Sequence, residues 1–380
     1  TIVLGLIVSF GFGVLVRQEL VGYVKMGPVS KAALFIAEIP SSMRKTLKRL
    51  SYEPIPLEEQ FWSTSPGTNM AERFFYRDQI NKQNVNKLSI LWEYNSGYLS
   101  PNDTVQATPI FTGDHLITVS VQGHLISLNP NNGKENWSAK LDKPVGRRGL
   151  TYVKDKGNGL GGIYVASGEF VLHIDQKDGS TIKTFDSGVS VLQPFVFDNS
   201  LLVATMTAGV KSFDVRTGSK KWETRLTKNG VTPRIWSGFS FDGLTRTIFV
   251  VTSNPGGVVT KNIDGDEPPD DLDYSVSVIA IDLDDGSIKW QYKHIYNDKW
   301  DYDLVGNPII IRNLKTRGRK DEIDCVVALS KTGDVIMLDL VTGQPVFKNS
   351  YKNIAVPSSD IPGVKTSKIQ KQYSKPEPFS

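Results

Sequence analysis

"VIAIDLDDGSIKW" (residues 278–290) runs from an apolar strand into an acidic turn closed by Gly286 and out again to a tryptophan. The same order recurs in "LISLNPNNGKENW" (125–137), "VLHIDQKDGSTIKTF" (171–185), "VKSFDVRTGSKKW" (210–222) and "VIMLDLVTGQPVF" (335–347). Each copy is an apolar strand, an Asp or Asn, a turn ending in Gly, then Trp or Phe four to six residues on. That is a strand–turn–strand unit, because glycine supplies the positive φ that a tight hairpin needs. The turn glycines, Gly133, Gly179, Gly218, Gly286 and Gly343, are spaced by 46, 39, 68 and 57 residues. Such periods indicate propeller blades, small sheets that bury both faces only by stacking on one another. The aromatic after each turn is expected to dock between adjacent blades, and the longer spacings leave room for functional loops.

Around these units, from Trp62 onward, the chain consists of short Val/Ile/Leu/Phe runs punctuated by Gly, Asn and Asp, with hardly any helical periodicity. Its 380 residues, 39% hydrophobic and 22% charged, suffice for one large core. The formal charge of +4 is unevenly placed: residues 1–50 carry seven basic and two acidic side chains, so everything after residue 50 sums to −1. The body therefore has no nucleic-acid signature. Cys325 is the single cysteine, which excludes an internal disulfide and a thiolate metal cage. His115, His124, His173 and His294 lack ligand spacing and read as surface or core residues.

The opening "TIVLGLIVSFGFGVLV" (1–16) is uncharged and begins without Met. It reads as the end of a transmembrane helix, with a cleaved signal peptide and a buried core helix as the alternatives. Residues 17–60 follow as a basic linker, and "MRKTLKR" (43–49) would favour a cytoplasmic side for what comes next. "GNGLGG" (157–162) has dinucleotide-fingerprint spacing, but the strand-like "IYVAS" follows it where a helix is needed, so it reads as a hairpin turn.

Several segments, in order, carry a resemblance. They are "FWSTSPGTNMAERFFYRDQINKQNVNKLSILWEY" (61–94), "ATPIFTGDHLITVSVQGHLISLN" (107–129), "RRGLTY" (147–152), "IWSGFSFD" (235–242) with "FVVTSNPGG" (249–257), "WDYDL" (300–304), "ALSKTGDVIMLDLVTGQPVF" (328–347) and "VPSSDIPGVKTS" (356–367). Together they resemble the quinoprotein dehydrogenases, propeller enzymes that use pyrroloquinoline quinone (PQQ), and most of all the membrane-bound glucose dehydrogenase branch. The resemblance implies an all-β fold over residues 61–380: a β-propeller of four-stranded blades, here an incomplete ring behind an N-terminal transmembrane helix. It implies oxidation of a sugar or alcohol, with PQQ and Ca²⁺ or a lanthanide as cofactors. Electrons would pass to a quinone or cytochrome acceptor at the inner membrane, with the propeller in the periplasm.

Such an enzyme must hold a flat tri-anionic quinone, polarise its carbonyl with a cation and take a proton from the substrate hydroxyl. By the resemblance, Asp301 of "WDYD" matches the general base and also a metal ligand. Asp303 matches an additional metal-ligating carboxylate found in some relatives. Lys331 of "SKTG" matches the lysine that contacts the quinone oxygens. Asn254 of "TSNPGG" matches a side-chain oxygen ligand of the metal, and Trp236 the tryptophan that floors the quinone, with a blade-docking role as its alternative. Arg148 of "RRGLTY" matches the arginine that pairs with a PQQ carboxylate. Asp298 is read as a turn acid or a support behind the ligands.

Departures from the pattern bear mainly on the metal. The adjacent-cysteine disulfide of the methanol-oxidising branch is absent, and "VATMTAGVKSFD" (203–214) is short and lacks the metal-ligating glutamate carried nearby in that branch. Asn297 stands where the glucose branch often has histidine. The family builds eight blades and five docking repeats are present, so the chain is expected to be a fragment. A non-catalytic propeller scaffold of the cell envelope is the alternative function.

Overall fold

Strand pairing groups the first sixteen strands in sets of four. The computed structural model describes residues 61–74, 79–97, 106–120, 122–206, 209–228, 232–254, 274–296, 298, 301–315, 321–347, 350–353 and 368–371. The first blade comprises β1 (Ile110–Phe111), β2 (Leu116–Val119), β3 (His124–Leu128) and β4 (Glu135–Lys140). The second holds β5 (Val145–Val153), β6 (Gly162–Ser167), β7 (Phe170–Ile174) and β8 (Thr181–Asp186). The third holds β9 (Phe195–Phe197), β10 (Ser200–Thr205), β11 (Gly209–Asp214) and β12 (Lys220–Thr224). The fourth holds β13 (Phe239–Asp242), β14 (Thr247–Val251), β15 (Ser277–Asp282) and β16 (Ile288–Lys293). In each, strands adjacent in sequence are antiparallel neighbours. A fifth sheet joins β18 (Leu304–Leu314), β19 (Ile323–Ser330) and β20 (Val335–Asp339). A small sheet joins β17 (Ile295–Tyr296), β21 (Ser350–Asn353) and β22 (Lys368–Lys371).

This is the all-β, four-stranded pattern expected of propeller blades, and the described residues form no closed ring. The spanning helix expected at 1–16 and the linker at 17–60 lie outside the described residues. Among those described, no helix is long and apolar enough to cross a membrane.

The repeat is explained by its hairpin. Gly133, Gly179, Gly218, Gly286 and Gly343 all have positive φ, and each donates its N–H to the backbone carbonyl of the Asp or Asn four residues earlier. That Asp or Asn side chain also accepts an N–H within the turn, as Asp282 does from Asp284 at 2.8 Å and Asn129 from Asn131 at 2.9 Å. A register shift follows in the third and fourth strands of all four complete blades, at Ser127/Leu128, His173/Ile174, Ser212/Phe213 and Ala280/Ile281. One extra residue at the turn thus twists every outer strand alike.

Docking follows the glycines closely. A Cβ on Gly286 would lie 2.6 Å from the Trp222 ring, one on Gly179 2.7 Å from Trp137, and one on Gly343 2.5 Å from Trp290. Each ring covers the next blade's turn because glycine leaves its backbone bare. Trp222 Nε1 donates to Leu283 O at 3.1 Å, and Trp137 Nε1 to Gln176 O at 3.0 Å. Phe185 departs from this pattern: it is buried edge-on against Phe213 between blades two and three. The docking place four residues after Gly179 belongs to Lys183, whose ammonium donates to the carbonyls of Val215 (3.2 Å) and Arg216. A long stem ending in a donor meets the same need as an indole. Trp92, ahead of the first repeat, lies over Gly133 and donates to Pro130 O at 2.9 Å.

The core therefore lies between blades. Along β10, Leu201 and Val203 pack with Tyr164 and Phe213 towards the second blade, whereas Leu202 and Ala204 pack with Phe239, Ile248 and Val250 towards the fourth. Period-two alternation feeds two apolar layers from one strand. Each fully buried side chain contributes about 1.5–3 kcal/mol. The "GNGLGG" segment joins the antiparallel pair β5 and β6 as a hairpin loop. Two histidines have structural partners, His115 with Ser127 Oγ at 2.7 Å and His173 with Gly161 O at 2.8 Å. Cys325 is buried, and burial pushes its thiol up to about 12.

Candidate active site

Residues from three blades meet around Lys331. This lysine sits in the turn between β19 and β20, where its N–H donates to Asp303 O at 3.0 Å. Its ammonium donates to Asp301 Oδ2 at 2.8 Å and to Asp303 Oδ2 at 3.0 Å. Both carboxylates lie just ahead of β18, the strand paired to β19, so sheet register brings residues some 30 positions apart into contact. Burial alone would lower the Lys331 pKa, but hydrogen bonds to Asp301 and Asp303 outweigh it and hold it above its usual value.

Asp303 is the buried member, 3% exposed, whereas the Asp301 side chain is 56% exposed. Asp303 Oδ1 accepts the backbone N–H of Asn254 at 3.0 Å, and Oδ2 accepts Trp236 Nε1 at 3.1 Å besides Lys331. Burial pushes its carboxyl up, against the pull of the Asn254 N–H and Lys331. Asp301 adopts φ +60°, a left-handed conformation that costs a non-glycine residue energy and tends to persist where function requires it.

Trp236, between β12 and β13, links these acids to the far side of the site. The Arg148 guanidinium lies 4.8 Å and the Lys331 ammonium 5.4 Å from its ring centroid. Trp236 thus faces the two candidate cations while its Nε1 reaches Asp303. Arg148 lies in β5 where pairing with β6 jumps between Val145 and Leu150, a bulge that turns its side chain out of the ladder. The six residues singled out from sequence, Arg148, Trp236, Asn254, Asp301, Asp303 and Lys331, are therefore joined by direct contacts.

Asp298 belongs to the same network: its Oδ2 accepts Asn254 Nδ2 and the Tyr302 N–H, each at 2.7 Å. Around Arg148, sequence reasoning missed Ser65, Gly149 and Gln193. Ser65 Oγ and Gln193 Nε2 are buried without a hydrogen-bond partner among the described residues. A Cβ on Gly149, at φ +122°, would lie 1.8 Å from Ser65 Oγ and 3.9 Å from Gln193 Cβ. The adjacent "RRG" was the available signal for Gly149; nothing in the sequence marks Gln193. Gly149→Ala is expected to lower the unfolding temperature and weaken PQQ binding, measured by thermal denaturation and tryptophan quenching. Unchanged values for both would show that Ser65 yields without consequence.

A blade array with a tryptophan, two cations and three aspartates gathered between blades defines a propeller with a polar ligand site. The description "PQQ: Glucose/ethanol/alcohol dehydrogenase, beta-propeller domain" matches residues 62–193 and 208–380, and the chain belongs to that family. It is 25% identical to the quinoprotein glucose dehydrogenase of Escherichia coli (strain K12), over 77% of this chain and 44% of that protein. It is 26% identical to the quinohemoprotein alcohol dehydrogenase of Comamonas testosteroni, over 76% of this chain and 46% of that protein. The crystal structure of a quinohemoprotein alcohol dehydrogenase from Comamonas testosteroni superposes with a TM-score of 0.67 at 18% identity, covering 90% of this chain and 55% of the other. A europium-containing methanol dehydrogenase gives 0.64 at 21% identity, covering 77% and 60%. The chain spans about half the length of the curated relatives it matches.

Membership supports PQQ as the cofactor. The residues fit it. Two buried polar atoms without partners flank the Arg148 segment, where a planar anion would satisfy them. The Asn254 amide oxygen and the Asp301 and Asp303 carboxylates would offer an all-oxygen donor set, the kind a hard cation takes. Among the described residues, no group of three His, Cys, Asp or Glu side chains is arranged for a metal. The connection between Thr205 and Gly209 contains no acid that could add a carboxylate.

Proposed function

We propose that this chain is the dehydrogenase propeller of a membrane-anchored, PQQ-dependent enzyme that oxidises a sugar or alcohol and passes electrons to a quinone or cytochrome in the respiratory chain. The observation that carries the reading is Lys331, whose ammonium meets Asp301 and Asp303 while facing Trp236. Bound PQQ supplies the two-electron, hydride-accepting chemistry, and Ca²⁺ or a lanthanide supplies Lewis acidity. Asp301, the more exposed acid, takes the hydroxyl proton from substrate onto its carboxylate. Lys331 offers fixed positive charge where negative charge develops on the cofactor. Arg148 pairs with a cofactor carboxylate, and Trp236 provides the flat apolar floor. Asn254, Asp301 and Asp303 hold the cation.

An envelope scaffold, the alternative, has no need of a lysine between two acids opposite an arginine-faced tryptophan. The placement proposed is the inner membrane, with residues 1–16 as a spanning helix and the propeller in the periplasm. The test is a dye-linked assay of the full-length gene product, loaded with PQQ and Ca²⁺ or a lanthanide, over aldoses and alcohols. PQQ-dependent dye reduction with at least one of them is expected. Tight PQQ binding without turnover of any would favour the scaffold.

A further inference from the structure

Asp298 is 8% exposed and lies behind the proposed ligands. Two donors from separate parts of the chain converge on its Oδ2. Asn254 Nδ2 arrives from the segment after β14 at 2.7 Å, and the Tyr302 N–H, directly after Asp301, arrives at 2.7 Å. We infer that Asp298 is a positioning residue that selects which edge of the Asn254 amide faces the cation and fixes the turn that aims Asp301. The inference rests on the reading that Asn254 and Asp301 serve the cation and the proton.

An amide has one edge that donates and one that accepts, and only the carbonyl edge can ligate a cation. A carboxylate has acceptors alone, so opposite Asp298 the Asn254 side chain has one satisfied orientation, nitrogen inward and carbonyl on the other edge. The Asn254 N–H is tied separately to Asp303 Oδ1 at 3.0 Å, which removes the backbone freedom that could compensate a flip. An amide at position 298 can present either oxygen or NH₂ to the point where both donors meet. Its NH₂ state draws the Asn254 carbonyl inward, turns the Asn254 NH₂ towards the cation, where it repels, and leaves the Tyr302 N–H without that acceptor.

The second donor acts on Asp301. Its φ of +60° is left-handed, and the Tyr302 N–H directly after it donates to Asp298 Oδ2. One oxygen therefore sets the direction of a cation ligand and of the base together.

Three versions of the full-length protein separate the possibilities: wild type, Asn254→Ala and Asp298→Asn. Each is titrated with Ca²⁺ by calorimetry and with Tb³⁺ by luminescence, alongside thermal unfolding. Asp298→Asn retains a state whose oxygen accepts from both donors, so its unfolding temperature should stay near wild type. Its cation affinity should fall about 10–100-fold, as when a ligand's hydrogen-bond partner is lost. Wild-type affinity in Asp298→Asn overturns the inference, as does an affinity loss that only tracks early unfolding. If Asn254→Ala binds Ca²⁺ and Tb³⁺ like wild type, the assignment of Asn254 as a ligand fails, and this inference fails with it.

Discussion

Turnover of the Asp301→Asn protein is expected to fall by about 10²–10⁴-fold, the usual contribution of a positioned base. The substitution is nearly isosteric, and asparagine is among the few residues that tolerate left-handed backbone, so the turn at φ +60° should survive. An amide oxygen still accepts from Lys331, whose ammonium lies 2.8 Å from the Asp301 carboxylate. What disappears is the basic lone pair and one negative charge. PQQ binding should therefore change little, because Arg148 and Trp236 are untouched. The check is dye-linked turnover and PQQ titration on one preparation. Turnover within about tenfold of wild type would place the base elsewhere.

Lys331→Met should act on chemistry and on stability together. A methionine fills much of the stem volume but leaves Asp303, buried and 3.0 Å from the ammonium, without its cationic partner. Removing a fixed charge from where an anion develops costs about 10²–10³-fold in turnover, and PQQ affinity should weaken as well. The stability effect has a defined pH window. The folded-state pKa of Lys331 is raised above 10.5, so its contribution is fully present below that pH and is lost as pH rises through the folded value. Wild-type protein should therefore lose stability above about pH 10.5 through this group, whereas Lys331→Met should lack that component and be less stable at neutral pH. Denaturant titrations from about pH 8 to pH 11.5 would show it. Parallel alkaline profiles for the two proteins would mean that the ion pair contributes nothing to folding.

The two proteins differ from Asp298→Asn in a useful way. Losing the base stops proton transfer and weakens one cation ligand while leaving PQQ in place, losing the lysine affects the quinone, and losing the carboxylate behind Asn254 affects chiefly the cation. Three substitutions within one network thus separate proton transfer, quinone binding and cation binding.

Sequence by itself determined the blade. Gly133, Gly179, Gly218, Gly286 and Gly343 mark turns whose backbone needs positive φ, and the Asp or Asn before each is fixed by a hydrogen bond inside the same turn. Those interactions span four residues, so a short window records them. The motif residues Asp301, Asp303, Lys331, Asn254, Trp236 and Arg148 were legible as candidates through resemblance. Tertiary structure alone decided how they meet. Lys183, not Phe185, takes the place of a docking tryptophan, because distance along β8 sets which side chain reaches the next turn. The burial of Asp303, the double duty of Asp298 and the unpartnered atoms of Ser65 and Gln193 depend on chain segments tens to more than a hundred residues apart. Their energetics come from desolvation and convergent hydrogen bonds between blades, which no local pattern encodes.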